Sequence, residues 1–214
     1  MDKIIIREFR SGDRDYVRRI ASATAFVDRD KIRYFFDEEV LADALTIYFT
    51  DYEPESCFVA ESDNKVIGYI LGTKDSCKMD RVSMRKIIPK LFFKSLTRGV
   101  FFDFMNLKLF LSIMLSLLKG EFFSPDFRPE FPALLHINLD KDFRGTHIGS
   151  ELIRHFLKYL RGTGVTGVHL ATFSPGAYIF FKKAGFNLLF QGKRSYLRPY
   201  IGRDLDFYIF GMKL

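Results

Sequence analysis

The stretch from Leu134 to Gly149, LLHINLDKDFRGTHIG, restricts the fold more than any other part of the chain. Apolar and polar residues alternate through Leu139, which predicts a β-strand, and a polar turn and a glycine-bearing loop follow. A helix is predicted to begin directly after this loop. Backbone N–H groups of such a loop and of the first helical turn converge on one point, where they bind anions. Residues 144–150 are therefore predicted to bind a phosphate-bearing ligand.

The composition indicates one large domain. The chain has 214 residues, 48% of them hydrophobic, so it can form a substantial core. Its N-terminal sequence is charged too early for a secretory signal peptide. Cys57 and Cys77 match no disulfide framework or metal-binding motif, and the four histidines have no HExxH spacing. We therefore expect a cytoplasmic protein without a structural metal.

Charge is unevenly distributed along the chain, which has a net charge of +7. Residues 28–55 contain nine acidic and three basic side chains, whereas residues 74–108 contain nine basic and three acidic ones. One interpretation is two separate solvated faces. The other is a negative patch for a cationic acceptor beside a positive patch for an anionic cofactor. The net charge alone does not predict nucleic-acid binding, and we expect no nucleic-acid partner.

Periodicity and turn residues predict an α/β fold with a mixed sheet and helices on both faces. The expected order is β-α-α-β-β, a long segment, and then β-α-β-α-β-β. Strands are predicted at 3–9, 57–61, 66–72, 134–139, 167–173, 186–194 and 205–213, and helices at 13–26, 38–50, about 148–160 and 174–185.

Residues 74–131 break this rhythm between the third and fourth strands. Their first part is basic and amphipathic, and their second part, VFFDFMNLKLFLSIMLSLL, is apolar nearly all round. This second part approaches the length of a membrane span, but Asp103, Asn106 and Lys108 interrupt it. We expect a helix buried against the domain, a lid or a partner interface. Contact with a membrane surface through 90–118 is a less favoured alternative, and a homodimer is left open.

Two motifs resemble the GNAT superfamily of acyl-CoA-dependent N-acetyltransferases. The loop Arg144-Gly145-Thr146-His147-Ile148-Gly149 is similar to the family pattern R/Q-x-x-G-x-G/A, with His147 at the middle glycine. The second family motif is N-x-x-A-x-x-x-Y-x-x-x-G-F. In the segment 174–186, Ala177, Gly185 and Phe186 match it, while Ser174 replaces Asn and Phe181 replaces Tyr. The resemblance covers 132–195 strongly and 1–72 moderately, and it is absent over 74–131.

The resemblance implies a single GNAT-like domain over 1–214. It has a central, mostly antiparallel twisted sheet, with 74–131 as a helical insertion. It also implies an acetyl-CoA-dependent N-acetyltransferase that acts on a primary amine of a small molecule or peptide by direct attack on the thioester. Ile137 and Leu139 would pair with the pantetheine arm, and Arg144 through Ser150 would hold the pyrophosphate. The implied cofactor-contacting residues are Ile137, Leu139, Arg144, Gly145, Thr146, His147, Ile148, Gly149, Ser150, Ser174 and Phe181.

Two departures from the family pattern affect these expectations. A left-handed backbone at His147 would cost about 1 kcal/mol without glycine; the imidazole is either tolerated there or donates to a phosphate. Phe181 removes the phenol that protonates the leaving thiolate in many relatives. Tyr178, three residues earlier on the same helix, either faces the same cleft as a replacement acid or is ordinary packing.

A polar face on the strand at 134–139 provides further candidates. His136, Asn138 and Asp140 alternate with apolar residues, which is unusual for a central strand. One explanation is a wet acceptor cleft, in which His136 is a general base, directly or through water. The other is a hydrogen-bonded core histidine. His169 is a weaker candidate and His155 is expected on a helix surface. Glu38 and Glu39 either bind a cationic acceptor or are first-turn carboxylates of a helix.

The leading functional hypothesis is therefore the N-acetyltransferase, with His136, Asn138 and Tyr178 as candidate catalytic residues. A second hypothesis, motivated by Phe181 and His147, is a catalytically weak CoA-binding module with a sensing or interaction role. A third makes the apolar segment a site for a long acyl chain or a membrane surface.

Overall fold

The computed structural model of the protein describes residues 4–25 and 37–214. Within these residues, seven strands form one sheet in the order β1-β2-β3-β4-β5-β7-β6. Neighbouring strands are antiparallel except β4 and β5, which are parallel. The strands are β1 (Ile5–Glu8), β2 (Cys57–Ser62), β3 (Lys65–Thr73), β4 (Ala133–Leu139), β5 (Gly167–Thr172), β6 (Asn187–Arg194) and β7 (Leu205–Lys213).

Helices occupy the connections between these strands. Two follow β1, a group of three lies between β3 and β4, and single helices follow β4, β5 and β6. They are α1 (Arg14–Thr24), α2 (Glu38–Tyr52), α3 (Ser76–Val82), α4 (Ile88–Thr97), α5 (Phe104–Leu118), α6 (Ile148–Arg161), α7 (Pro175–Lys183) and the short α8 (Arg198–Ile201), with a π-helical turn at Ser83–Ile87.

The predicted mixed, mostly antiparallel sheet is confirmed, with its helices between the strands in the expected order. The short α8 was not predicted. The expected end of the first helix, at residue 26, lies outside the described residues. Helices do lie between the third and fourth strands. The interpretation of these helices as an insertion into the family fold stays a prediction.

Helices cover both faces of the sheet because the central strands are apolar on both faces. Along β3, Ile70 contacts a core that includes Leu152 and Phe156 of α6. Its neighbours Tyr69 and Leu71 contact a second core that includes residues of α1 and α2. Successive side chains of a strand point to opposite faces. The two cores therefore fix which helices lie on which side.

The oppositely charged segments pair with each other where α2 meets α4. Asp43 of α2 accepts hydrogen bonds from Lys94, at 2.5 Å, and from Arg18 of α1. Asp37 pairs with Arg98. Burial raises the pKa of Asp43, but the hydrogen bonds from Lys94 and Arg18 outweigh it and lower the pKa below its ordinary value. At these positions the acidic and basic residues hold α4 against α2 and do not form two separate faces.

The remaining charged residues of the acidic segment are only partly described. Glu39 contacts Arg18 at 2.6 Å. Asp28, Arg29, Asp30, Lys31 and Arg33 lie outside the described residues.

The apolar helix α5 is not the buried helix that its composition predicts. Asn106, Leu109 and Ser116 are its buried residues, whereas Leu111, Leu115 and Leu118 are 58%, 58% and 78% exposed. Of the three alternatives expected for this segment, burial against the domain does not hold for most of α5, whereas a lid or a partner interface stays a prediction. In the described part of the chain, no helix combines the length and apolar character needed to cross a membrane.

A buried carboxylate joins α2, β2 and β3. Glu53 is 1% exposed and accepts four hydrogen bonds. The donors are the hydroxyls of Tyr48 (2.9 Å), Ser56 (2.9 Å) and Thr73 (2.7 Å) and the backbone N–H of Lys74 (2.8 Å). All four donors need an acceptor, and an ionised carboxylate offers acceptors only.

Replacing this carboxylate is expected to destabilise the fold. Glu53→Gln places an amide N–H₂ against donors, so the free energy of unfolding in urea should fall by about 2–3 kcal/mol. The matched control is Glu55→Gln, two residues away, whose exposed carboxylate contacts Lys74 at 3.2 Å; it should change stability by less than about 1 kcal/mol. Equal losses in the two variants would contradict this account.

Candidate functional site

The parallel strands β4 and β5 separate soon after they meet. Their register comprises two pairs, Ala133 with Val168 and Leu134 with His169. Beyond these pairs, β4 continues to Leu139 on β3 alone, and β5 continues to Thr172 on β7. The two strands therefore enclose a gap between their carboxyl-terminal halves.

The backbone groups that face this gap belong to alternate residues of β4. Asp140 N–H donates to Ile67 O of the neighbouring strand at 2.8 Å, and Pro132 O accepts from Ser76 N–H at 2.9 Å. Even-numbered residues therefore direct their backbone groups towards β3, and the backbone groups of Ile137 and Leu139 point into the gap. The Leu139 carbonyl accepts a hydrogen bond from Arg144 Nε at 3.3 Å, as expected for an oxygen on this side.

The loop after β4 leads directly into the first turn of α6. Gly145 has a φ of +77°, the left-handed conformation that glycine adopts without a penalty. His147 has φ −76° and ψ −2°, so it is not left-handed, and the expected strain at this position is absent. The His147 side chain makes no capping hydrogen bond. The first N–H groups of a helix have no acceptor within it, so this turn presents donors to an anion.

The first turn of α6 packs closely against α7 and the end of β4. Ile148 and Gly149 are buried, while Arg144, Thr146 and Ser150 are exposed. A Cβ on Gly149 would lie 3.2 Å from the Phe180 ring and 3.7 Å from the Leu139 side chain. The absence of a side chain at Gly149 thus lets α6, α7 and β4 converge at the loop.

The predicted residues of α7 lie in three different environments. Ser174 Oγ accepts from Ala177 N–H at 3.3 Å and caps the helix. Phe181 is 4% exposed, and its ring contacts Phe186 within the core. The partly buried Tyr178 ring lies 4.7 Å from Tyr208. Among the described residues, the Tyr178 hydroxyl has no hydrogen-bond partner, so it is available as a donor.

His136 and Asn138 form a polar cluster with Tyr69 on the face of the sheet that α1 and α2 cover. Asn138 Nδ2 lies 2.9 Å from Tyr69 Oη and 2.8 Å from His136 Nε2. The Tyr69 and His136 rings are stacked, with centroids 6.0 Å apart. Sequence reasoning missed Tyr69, although a tyrosine in the otherwise apolar run VIGYIL is a signal that could have found it.

The surroundings make His136 a weak base. Burial lowers the pKa of His136 from 6.5 to about 4, since the protein replaces the water that would solvate an imidazolium. Its Nε2 already faces the Asn138 amide. His136 is therefore neutral near pH 7 and has little affinity for a proton from an amine.

The other two candidate histidines bind backbone carbonyls. His169 Nδ1 lies 2.7 Å from Phe131 O, and burial lowers the pKa of His169. His155 Nδ1 lies 3.0 Å from Glu151 O on its own helix.

Two cavities lie away from the gap. One of about 230 Å³ lies between α1, the β2–β3 turn and the loop after β4, where Arg19 and Asp140 pair at 3.1 Å. A second of about 280 Å³, beside Glu38 and Glu39, lies between α1 and α2. Neither cavity is lined by Ile137 or Leu139. The residues that the structure describes contain no group of three His, Cys, Asp or Glu side chains placed to hold a metal ion.

The depressed pKa of His136 predicts a pH-dependent stability. Between about pH 6.5 and pH 4 the unfolded chain binds a proton at His136 that the folded protein does not, so stability falls as pH falls through this window. The loss is at most about 3 kcal/mol. Unfolding in urea at several pH values should show this slope in the protein and a smaller one in His136→Gln. The control Tyr69→Phe keeps the imidazole and should keep the slope; an unchanged slope in His136→Gln would refute the assignment.

Comparison with known proteins identifies the fold. Residues 111–186 match the model of the Acetyltransferase (GNAT) family. None of the curated proteins matches the chain significantly. The crystal structure of SsHAT superposes with a TM-score of 0.67 and 22% identity over 99% of this chain and 98% of that one.

Two further solved structures have the same fold. The polyamine N-acetyltransferase of Drosophila melanogaster, which forms N-acetylagmatine, gives a TM-score of 0.58 and 13% identity over 99% of this chain and 100% of that one. The yncA protein of Salmonella typhimurium, a putative acetyltransferase, was solved with its cofactor acetyl-CoA. It gives a TM-score of 0.57 and 15% identity over 99% of this chain and 94% of that one. Residues 111–186 thus match the GNAT acetyltransferase family, and the resemblance to this superfamily inferred from the two motifs is confirmed.

Proposed function

We propose that the protein is an acetyl-CoA-dependent N-acetyltransferase that acts on a primary amine of a small molecule or peptide. The observation that carries this proposal is the separation of β4 from β5 after two residue pairs, directly before an uncapped helix N-terminus. An extended amide-bearing chain can pair with the free edge, and a phosphate can bind at its end. The yncA structure, which shares the fold, contains acetyl-CoA.

The residues of the site fit the two ends of such a donor. Ile137 and Leu139 present N–H and C=O groups for the amides of a pantetheine arm. The backbone of Arg144 through Ser150, including Gly145 and Gly149, receives the pyrophosphate. The exposed Arg144, His147 and Ser150 side chains lie at the same loop and are free to approach a phosphate oxygen. Ser174 and Phe181 support the opposite wall, the first as a helix cap and the second from the core.

Acetyl transfer requires a hydrogen-bond donor for the developing oxyanion, an oriented acceptor amine and a proton for the leaving thiolate. Bound acetyl-CoA supplies an acetyl thioester, which a neutral acceptor amine attacks. A gap-facing N–H of β4 is placed to donate a hydrogen bond to the oxygen that becomes negative. The weak base His136 and its partner Asn138 line the polar side of the strand and orient the acceptor, and water takes the amine's proton. The Tyr178 hydroxyl or water returns a proton to the thiolate, whose pKa is about 8.5 when free.

A second candidate function is a CoA-binding module with little turnover. The buried Phe181 in place of a phenol and the low pKa of His136 favour it, because both remove proton-transfer groups from the cleft. Both candidates share the donor site and differ in acyl transfer.

Cofactor binding tests the donor site. Calorimetric titration should detect binding of acetyl-CoA, and Arg144→Gln should weaken it about five- to tenfold because one charged hydrogen-bond donor is removed. The matched control is Lys141→Gln, an exposed basic residue three positions earlier, which should change the affinity less than twofold. Absence of binding at millimolar acetyl-CoA would reject both candidate functions.

Turnover separates the two candidates. With acetyl-CoA and a panel of small amines and peptides, the enzyme should release free CoA thiol, detected with a thiol reagent, only when an acceptor amine is present. Tyr178→Phe is expected to lower kcat by up to about tenfold and to leave KM for acetyl-CoA unchanged. Binding of acetyl-CoA without turnover on any amine would favour the module.

A further inference from the structure

We propose that α4 and α5 bind the surface of an anionic lipid bilayer through an exposed apolar face. This face, called the docking face below, comprises Phe92, Phe93 and Leu96 of α4, Phe102 before α5, and Phe104, Leu111, Leu115 and Leu118 of α5. The proposal rests on exposure, charge and helix length, and it does not depend on acyl transfer.

The docking face is apolar and exposed. Phe93, Phe102, Phe104 and Leu118 are 64%, 83%, 75% and 78% exposed. The centroid of the Phe92 ring lies 5.9 Å from that of Phe93 and 5.5 Å from that of Phe101. The second contact links α4 to the segment just before α5. Large contiguous apolar surfaces on proteins mark sites of interaction, because their exposure to water is unfavourable.

Two polar side chains of α5, those of Asn106 and Ser116, are buried, and Lys108 lies over the Tyr200 ring. Asn106 Nδ2 donates to Val100 O at 3.0 Å, and Ser116 Oγ donates to Glu121. Asp103 caps the helix by accepting from Asn106 N–H at 2.9 Å. The outward side of α5 can therefore enter an apolar medium without burying these groups.

The charge around the docking face matches an anionic surface. Asp103 is the single acidic residue of the segment 83–120. The segment has seven basic residues: Arg85, Lys86, Lys90, Lys94, Arg98, Lys108 and Lys119. Lys94 pairs with Asp43 of α2, and Arg98 pairs with Asp37, the N-cap of α2. Within the described chain, Arg85 and Lys90 have no carboxylate partner, so their charge is available. Basic residues beside an apolar helix face are attracted to anionic headgroups.

The length of α5 fits a helix that lies in the interface. Its 15 residues extend about 22 Å at a rise of about 1.5 Å per residue, shorter than the roughly 30 Å hydrocarbon core of a bilayer. The helix thus lies along the headgroup boundary with its apolar side down.

A second copy of this chain is the less suitable occupant. Two docking faces brought together would juxtapose two basic segments, and like charges at an interface are unfavourable. An anionic bilayer neutralises the same residues.

Co-sedimentation of the protein, as the whole 214-residue chain, with vesicles tests this proposal. Binding to phosphatidylcholine vesicles containing phosphatidylglycerol should exceed binding to phosphatidylcholine alone, and it should weaken at high salt. The triple variant Phe102→Ser, Phe104→Ser, Leu118→Ser should reduce the partition coefficient about tenfold or more. The control Ile179→Ser, Leu188→Ser changes two residues that are 55% and 36% exposed outside the docking face, and it should bind as the wild type does.

A fluorescent reporter tests the same face without relying on loss of binding. The chain contains no tryptophan, so Phe93→Trp places a single indole on the docking face. Its emission should shift to shorter wavelength on addition of anionic vesicles, whereas that of Ile179→Trp should not. No binding to anionic vesicles, or equal shifts for both reporters, overturns the proposal. Sedimentation velocity that shows a dimer dissociated by the triple variant, without vesicle binding, would overturn it in favour of a second copy.

Discussion

The unsatisfied edge of β4 is the constraint on which the candidate site depends. Inside a sheet, each strand normally pairs on both sides, and a buried backbone group without a partner is costly. Here β4 is paired along its length with β3 but pairs with β5 at only two positions. The N–H and C=O groups of Ile137 and Leu139 therefore face an opening that a ligand with its own amides can fill. The opening lies between β4, which follows β3, and β5, which is paired with β7 along its whole length.

The loop after β4 extends the same site by a different interaction. Gly145 allows the left-handed turn that brings the chain back, and Gly149 leaves room for Phe180 and Leu139 at the first turn of α6. The free edge of β4 leads, through the loop after β4, to the uncapped N–H groups of this turn. Under the proposed function, a ligand with a phosphate at one end and amides along its length contacts both features.

Much of the fold could be predicted because local patterns specify it. The alternation of LLHINL, the glycines of the loop and the helical periodicity at about 148–160 identified their elements from sequence alone. The separation of β4 from β5 could not be predicted from the residues, since it depends on which strand each edge selects as a partner. The four donors around Glu53 and the ring of Tyr69 against His136 arise from residues distant in sequence. Which side of α5 is exposed could not be predicted from its apolar composition, because the tertiary contacts bury one side only.

The central claim is that Ile137 and Leu139 direct their backbone groups into the gap and use them to bind the donor. Amide hydrogen exchange of these residues, with and without acetyl-CoA, tests it most directly. Because His136 and Asn138 donate towards β3, their amides should exchange slowly in both states. The backbone N–H groups of Ile137 and Leu139 should exchange fast in the free protein. Binding of acetyl-CoA should protect at least one of them from exchange. Exchange at both residues that stays unchanged in saturating acetyl-CoA would contradict the account.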